Sequence, residues 1–166
     1  MTRRSESTTL REAVQLRKRG KYSRALRVLK TLQAANPKNA QLNYECAWLC
    51  DVQGKEREAV GFYEQAIRNG LTKKDLRRAL LGLGSTYRCL GSQRRAAMVL
   101  RRGQRIFPTA REFPVFLALV QYNQGKHAGA MGAVLRALAE TTADSGLRHY
   151  QRALLYYAGR LNKKRN

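Results

Sequence analysis

The sequence predicts an all-α solenoid of four helical hairpins closed by a C-terminal capping helix. Three observations lead to this prediction: glycines recur at spacings of 34, 37 and 34 residues, small residues recur at fixed distances from each glycine, and an amphipathic stripe follows the last repeat. A fixed period of this size is typical of helical repeat proteins. No Pro-, Gly- or Ser-rich stretch interrupts the pattern, so we expect one domain over residues 1–166.

Each recurring glycine marks the turn of one predicted hairpin. The four are Gly20, Gly54, Gly91 and Gly125. Small residues stand seven positions before them and alanines five positions after them, namely Ala13, Ala47, Gly84 and Ala118, then Ala25, Ala59, Ala96 and Ala130. Antiparallel helices approach closely where small residues face each other, and glycine permits the tight turn between them. The predicted hairpins therefore span residues 6–39, 40–73, 77–110 and 111–144.

The third hairpin carries the pattern most completely, with Leu83, Gly84, Tyr87, Gly91, Ala96, Leu100 and Pro108. On these residues the chain resembles the tetratricopeptide repeat (TPR), and its arrangement is similar to small bacterial TPR proteins of group 5. The closing proline is replaced by Leu71 in the second repeat and by Thr142 in the fourth. The resemblance implies a right-handed superhelical solenoid, a concave groove lined by the first helix of each hairpin, and a binding scaffold.

Capping residues predict where those helices begin whose first residue the repeat pattern does not define. Thr72 followed by Asp75 predicts a capping box at the start of the third hairpin, after which three extra residues lengthen its helix. Thr109 with Glu112 gives a similar signal for the fourth hairpin. Two helices for each hairpin and one terminal helix make nine predicted helices.

A further helix is predicted at residues 145–162, followed by a basic tail at 163–166. Its apolar positions recur at three- and four-residue spacing, and they are Leu147, Tyr150, Leu154, Tyr157 and Leu161. Either Asp144 or Ser145 can cap the helix. We expect the stripe to cover the end of the solenoid, with dimerisation through the same stripe as the competing use.

No catalytic pattern is present, so we expect no enzyme, no cofactor and no metal. The two histidines, His127 and His149, lie in no ligand or base spacing. Cys46 and Cys50 are one helical turn apart and could join Cys89 or His127 at a metal, but small buried cysteines are common in helical cores.

The expected location is the cytoplasm. The first ten residues are polar and precede no apolar stretch, so the hydrophobic part of a secretory signal is missing. No window of the sequence approaches the length of apolar chain that spans a membrane. The odd number of cysteines, 3, favours reduced thiols.

The net charge of +22 is unevenly distributed. Residues 1–39 contain 11 basic and 2 acidic residues, residues 77–110 contain 8 and none, and residues 145–166 contain 6 and none. Two explanations remain open: a solvated surface that keeps the protein soluble, or an acidic partner. An electrostatic site for nucleic acid or another anionic surface could form on the convex arginines Arg94, Arg95, Arg101, Arg102 and Arg105.

The leading hypothesis is a protein-interaction scaffold whose concave groove binds a peptide segment of acidic and apolar character. The spacing of the first helices predicts an aromatic and basic groove formed by Arg17, Lys18, Tyr44, Trp48, Arg78, Arg88, Leu119 and Tyr122. Trp48 is the only tryptophan, and aromatic and arginine side chains dominate the binding energy of interfaces. Packing against a neighbouring helix is the alternative role of this residue.

Overall fold

A computed structural model of the chain describes residues 3–162, with side chains described from Thr9 onward. Within this range the chain forms ten α-helices and no strand. They are α1 (Arg3–Lys18), α2 (Tyr22–Ala35), α3 (Ala40–Val52), α4 (Glu56–Arg68), α5 (Lys73–Cys89), α6 (Gln93–Ile106), α7 (Glu112–Asn123), α8 (His127–Thr141), α9 (Ser145–His149) and α10 (Gln151–Ala158). The all-α repeat fold is confirmed. The predicted tail at 163–166 lies outside the described residues.

The helices form two compact units, Met1–Gly91 and Ser92–Asn166. In the first unit, each of the helices α1 to α4 packs on the next one along the chain. In the second unit, α6 packs on α7, α7 on α8, and α10 returns to pack on α8. The organisation of residues 1–166 as one domain stays a prediction.

The glycine turns have the backbone geometry that the repeat predicts. Gly20, Gly54, Gly91 and Gly125 have φ between 67° and 75°, a left-handed conformation that disfavours side chains. At the second turn, the amide of Lys55 donates to the carbonyl of Cys50 at 2.9 Å and that of Gly54 donates to Asp51 at 3.0 Å. These two bonds satisfy carbonyl groups that the end of α3 would leave unpaired. Each turn therefore depends on its glycine.

Two other glycines lie where an aromatic ring presses against a helix. A Cβ on Gly82 would stand 2.5 Å from the hydroxyl oxygen of Tyr63, and a Cβ on Gly103 would stand 2.1 Å from the ring of Phe113. Both aromatic side chains are fully buried. Gly82 thus makes room for Tyr63 in α5, and Gly103 makes room for Phe113 in α6.

The predicted caps are confirmed at two helices and wrong at a third. The hydroxyl of Thr72 accepts the amide of Asp75 at 3.2 Å, and the carboxylate of Asp144 accepts the amide of Leu147 at 2.8 Å. Thr109 does not cap α7, which begins only at Glu112, after Arg111. Proline at position 114 fits there because the first turn of a helix needs no amide donor.

The predicted capping helix at 145–162 is interrupted, which is why the described residues contain one helix more than expected. At Tyr150 the backbone tightens, with its amide donating to the carbonyl of Leu147 at 3.2 Å, and α10 ends at Ala158. The residues that contact α8 are shifted by one position from the predicted stripe. Gln151 and Ala158 contact α8, whereas Tyr150 and Tyr157 stay exposed.

The docking of α10 on α8 is close. The side-chain amide of Gln151 donates to the carbonyl of Ala139 at 2.8 Å, and a Cβ on Gly132 would stand 2.3 Å from the carbonyl oxygen of Ala158. Val134 and Leu138 of α8 do not lie under this helix, since each remains 38% exposed. They lie on another face of α8. A role of α10 in dimerisation stays a prediction.

Replacing the turn glycine Gly54 with alanine should destabilise the protein. The left-handed conformation costs an L-residue about 1–2 kcal/mol, which urea denaturation followed by circular dichroism can measure. The matched control is Gly61→Ala in α4, where a Cβ meets no atom within 4 Å. That variant should gain about 0.5–1 kcal/mol, because alanine favours a helix interior over glycine. Equal effects of the two changes would contradict the assigned turn.

Replacing Gly132 with alanine should weaken the docking of α10. The added methyl group would overlap the backbone of Ala158, and overpacking of this kind costs about 1–3 kcal/mol. The control lies on the same helix: Gly129→Ala places its Cβ 3.6 Å from Gln121 and should be neutral or stabilising. Hydrogen exchange at the amides of α10 provides the measurement. Unchanged protection in Gly132→Ala would show that α10 is not held on α8.

Candidate functional site

The residues predicted to line the groove lie in both units of the structure. Six belong to the first unit, namely Arg17, Lys18, Tyr44, Trp48, Arg78 and Arg88, and two to the second, namely Leu119 and Tyr122. Each unit offers its own surface, and the two are described in turn.

Trp48 is partly exposed on α3 and is held on two sides by side chains of the first hairpin. The guanidinium carbon of Arg17 lies 5.1 Å from the centre of the indole ring. The ring of Tyr22 approaches at 5.9 Å in an edge-on arrangement. Cation–π and edge-to-face contacts of this kind fix the orientation of an indole ring while leaving part of its surface free. Trp48 therefore keeps accessible area that a partner can cover.

A buried carboxylate lies beside this cluster. Glu45 is 8% exposed, and its Oε2 stands 3.5 Å from Nη1 of Arg17. Neither that oxygen nor Nε of Arg17 has a hydrogen-bond partner, although both atoms are buried. A buried polar atom without a partner costs free energy, typically about 1–3 kcal/mol. The pair therefore lies inside the unit, and it holds the guanidinium group of Arg17 against the indole ring.

Tyr44 does not contribute the open aromatic surface that the sequence predicted. It is 7% exposed, and its ring lies 6.3 Å from that of Tyr63. Burial raises the pKa of its hydroxyl. The four-residue spacing places Tyr44 and Trp48 on the same side of α3, but Tyr44 packs against Tyr63 of α4 and belongs to the core.

Asp51 links three helices of the first unit. Its carboxylate accepts the hydroxyl of Thr86 from α5 at 3.0 Å and that of Tyr63 from α4 at 3.4 Å. Burial raises the pKa of the Asp51 carboxyl, while these two hydrogen bonds lower it. Burial of the ring and the same carboxylate raise the pKa of Tyr63. Asp51 therefore fixes the packing of α3 against α4 and α5.

The predicted arginines of this surface are already partnered inside the unit. Arg17 pairs with Glu45, and Arg78 pairs with Asp75 at 3.8 Å. Arg88 donates to the sulfur of Cys89 at 3.7 Å. Lys18 is exposed. The surface is thus mixed in charge rather than uniformly basic, because Arg17 and Arg78 each lie near a carboxylate.

The second unit contains an open apolar pocket of about 430 Å³. Two predicted groove residues, Leu119 and Tyr122, form its wall on α7. The other large side chains at the pocket come from α8 and from the residues after α10, and they are His127, Met131, Val134 and Leu161. The rings of Tyr122 and His127 meet edge to face at 4.7 Å. The lining of the pocket contains no acidic or basic side chain other than the imidazole of His127.

The five arginines of α6 are all exposed, as the alternative hypothesis requires. Within the described residues, no ion pair involves Arg94, Arg101, Arg102 or Arg105. The helix itself contains no acidic residue. The opposite face of α6 is buried through Ala96, Ala97, Leu100 and Gly103.

The described residues offer no obvious reaction centre. None of their His, Cys, Asp and Glu side chains forms a group of three that could hold a metal ion. Burial raises the pKa of the Cys46 thiol to about 12 and also raises that of Cys50, so both thiols stay protonated and unreactive. No described helix is both long and apolar enough to cross a membrane.

Sequence reasoning missed several residues of these surfaces. Tyr22 and Glu45 were absent from the predicted groove, although Glu45 precedes Trp48 by three positions and so shares its face of α3. Met131 and Val134 were missed because we expected only first helices to line a binding surface. The spacing of Met131 and Val134 on one face of α8, with His127 one turn before them, is the signal that could have found them.

Comparison with known proteins gives a consistent result. The sequence pattern of the Tetratrico peptide repeat family matches residues 40–161. No curated protein matches the sequence of this chain.

Among solved structures, the crystal structure of MamA is similar with a TM-score of 0.68 and 18% identity, covering 88% of this chain and 91% of that one. YrrB, described as a TPR protein with an unusual peptide-binding site, has a TM-score of 0.62 and 17% identity, covering 93% and 84%. The Cut9–Hcn1 complex of the APC/C gives 0.72 and 19%, covering 92% of this chain but 29% of the matched chain. At these identities the likeness concerns the fold alone.

Proposed function

Because the chain belongs to the tetratricopeptide repeat family, we propose that it is a non-catalytic protein-interaction scaffold that binds a peptide segment of acidic and apolar character. Helical repeats of this type are built to present extended binding surfaces. YrrB, which shares the fold, has a peptide-binding site. The proposal includes a cytoplasmic location, which the three unpaired cysteines support.

The observation that carries the proposal is the arrangement around Trp48. Its indole ring is partly exposed and is oriented by Arg17 and Tyr22. Next to it, Glu45 holds Arg17 in an ion pair of 3.5 Å, which keeps the guanidinium group against the ring. An apolar side chain of a peptide can cover the exposed part of the ring.

The acidic character of the partner follows from the charge that the unit leaves uncompensated. Residues 1–39 contain 11 basic and 2 acidic residues, and the cations Lys18, Arg19 and Lys21 follow Arg17 closely at an exposed turn. Carboxylates of a partner near this turn would reduce the repulsion among these cations. We therefore place the apolar residue of the peptide at Trp48 and its acidic residues toward the turn at Gly20.

Trp48 also provides the readout, since it is the only tryptophan in the chain. Peptides selected on the immobilised protein from a random library should be rich in acidic residues with a central aliphatic or aromatic residue. Their binding should shift the fluorescence of Trp48. Replacing Trp48 with alanine should weaken their binding, measured by calorimetry, by about 2 kcal/mol or more, which is roughly thirtyfold.

The control for this change is Tyr157→Ala, which removes an exposed aromatic side chain from α10 and should leave the affinity unchanged. Circular dichroism should show the same helical content in both variants. The proposal fails if selected peptides bind equally well to Trp48→Ala, or if the library yields peptides without acidic residues.

A second candidate function is electrostatic binding of nucleic acid along α6. The observation that favours it is that Arg101 stands one turn from Arg105 with no acidic residue between positions 77 and 110 to compensate the two. Like charges at this spacing destabilise a helix, and phosphate groups would relieve the repulsion. Partition of α6 into a membrane is disfavoured because its apolar face is buried in the unit.

Binding to oligothymidine at several salt concentrations tests the second candidate. Replacing Arg94 and Arg101 with glutamine should reduce the slope of log K against log salt by about 0.7 for each phosphate group that the variant no longer neutralises. Replacing Arg24 and Arg27, which are exposed on α2, removes the same charge and should leave the slope unchanged. Equal effects of the two pairs would mean that net charge, and not α6, attracts the nucleic acid.

A further inference from the structure

The second unit leaves an apolar pocket exposed to solvent, although the packing of its helices does not require this exposure. Of the 14 large apolar side chains exposed in the described residues, 12 lie in the second unit. Five of them line the one pocket: Leu119, Tyr122, Met131, Val134 and Leu161. Exposed apolar side chains that gather in one concavity mark a binding site more often than single ones do. The volume of about 430 Å³ lies in the range of ligand sites and exceeds one leucine side chain.

The charge around the pocket indicates what kind of partner fits it. Residues 92–162 contain 11 basic and 3 acidic residues. The acidic ones are already engaged: Glu140 pairs with Arg111, Asp144 caps α9, and Glu112 also has a partner. Lys126 is exposed directly before His127, which lines the pocket. An occupant that brings carboxylates would therefore find an excess of basic residues, with Lys126 next to the pocket, and no competing acid.

The same charge argues against a second copy of the chain as the occupant. Two such units would bring their surplus of basic residues together, and like charges across an interface cost free energy. A neutral apolar ligand would fill the pocket but would leave the cations without counterions. An acidic segment with apolar residues satisfies both features.

We infer that this pocket binds the large apolar side chain of an acidic partner segment, with carboxylates of the same segment near Lys126. The inference rests on the proposed scaffold function, and it assigns that function a binding site in the second unit that is separate from Trp48. Leu119 of α7 and Met131 of α8 both line the pocket, and the carboxylates would lie outside it, at the start of α8.

The chain contains its own reporters for the test. It has three methionines, Met1, Met98 and Met131, so labelling of the methionine methyl groups gives one resonance for the pocket and one for the exposed face of α6. The probes are three short synthetic peptides. One is acidic with a central Leu-Phe pair, the second is acidic with Ser-Ser at the centre, and the third has glutamine in place of every acidic residue and keeps Leu-Phe.

The acidic Leu-Phe peptide should shift the Met131 resonance in a saturable way and leave Met98 unchanged. Its affinity should fall by about tenfold in Val134→Gln, because a polar side chain then occupies the pocket. Leu138→Gln is the matched control, since Leu138 has the same exposure of 38% on the same helix but does not line the pocket. The Ser-Ser peptide and the glutamine peptide should each bind at least several-fold more weakly.

Three results would overturn the inference. They are an unchanged Met131 resonance with the acidic Leu-Phe peptide, equal binding of the Ser-Ser or glutamine peptide, or a concentration-dependent dimer that shifts Met131 without any peptide. Each is separable from failure of the proposed function, because the fluorescence of Trp48 reports independently on the first unit. A response of Trp48 to library-selected peptides with a silent Met131 would leave the scaffold function standing without this pocket.

Discussion

Close approach of helices over glycine is the constraint on which the rest of this structure depends. Gly82 accommodates Tyr63, Gly103 accommodates Phe113, and Gly132 accommodates the backbone of Ala158. In each case a single added carbon would stand 2.1 to 2.5 Å from its neighbour. Because the ring of Tyr63 can pack fully against α5, its hydroxyl donates to the carboxylate of Asp51. The same carboxylate accepts the hydroxyl of Thr86. That packing fixes α3, which presents the partly exposed ring of Trp48.

The arginines differ in whether a carboxylate lies near them. Arg17 and Arg78 pair with carboxylates of the same unit, so they position side chains more than they attract a partner. The arginines of α6 have no such carboxylates within their own helix, and their repulsion is not offset there. A prediction from net charge alone would therefore place the binding surface wrongly, because the basic residue nearest the aromatic cluster, Arg17, is already paired with a carboxylate.

The repeat and its turns could be predicted from sequence because they depend on local requirements. A left-handed residue calls for glycine wherever it occurs, so Gly20, Gly54, Gly91 and Gly125 mark their turns without any knowledge of the fold. The burial of Tyr44 and the register of α10 depend instead on which neighbour fills a space, and that choice is made by tertiary packing. The apolar pocket was missed for the same reason.

The central claim is that the fold presents a preformed peptide site at Trp48. A crystal structure of the chain with a library-selected acidic peptide tests it most directly. We expect an apolar side chain of the peptide over the indole ring, with the acidic residues of the peptide toward the turn at Gly20. The helices of the first unit should keep their positions. A bound peptide that leaves Trp48 uncontacted would contradict the account.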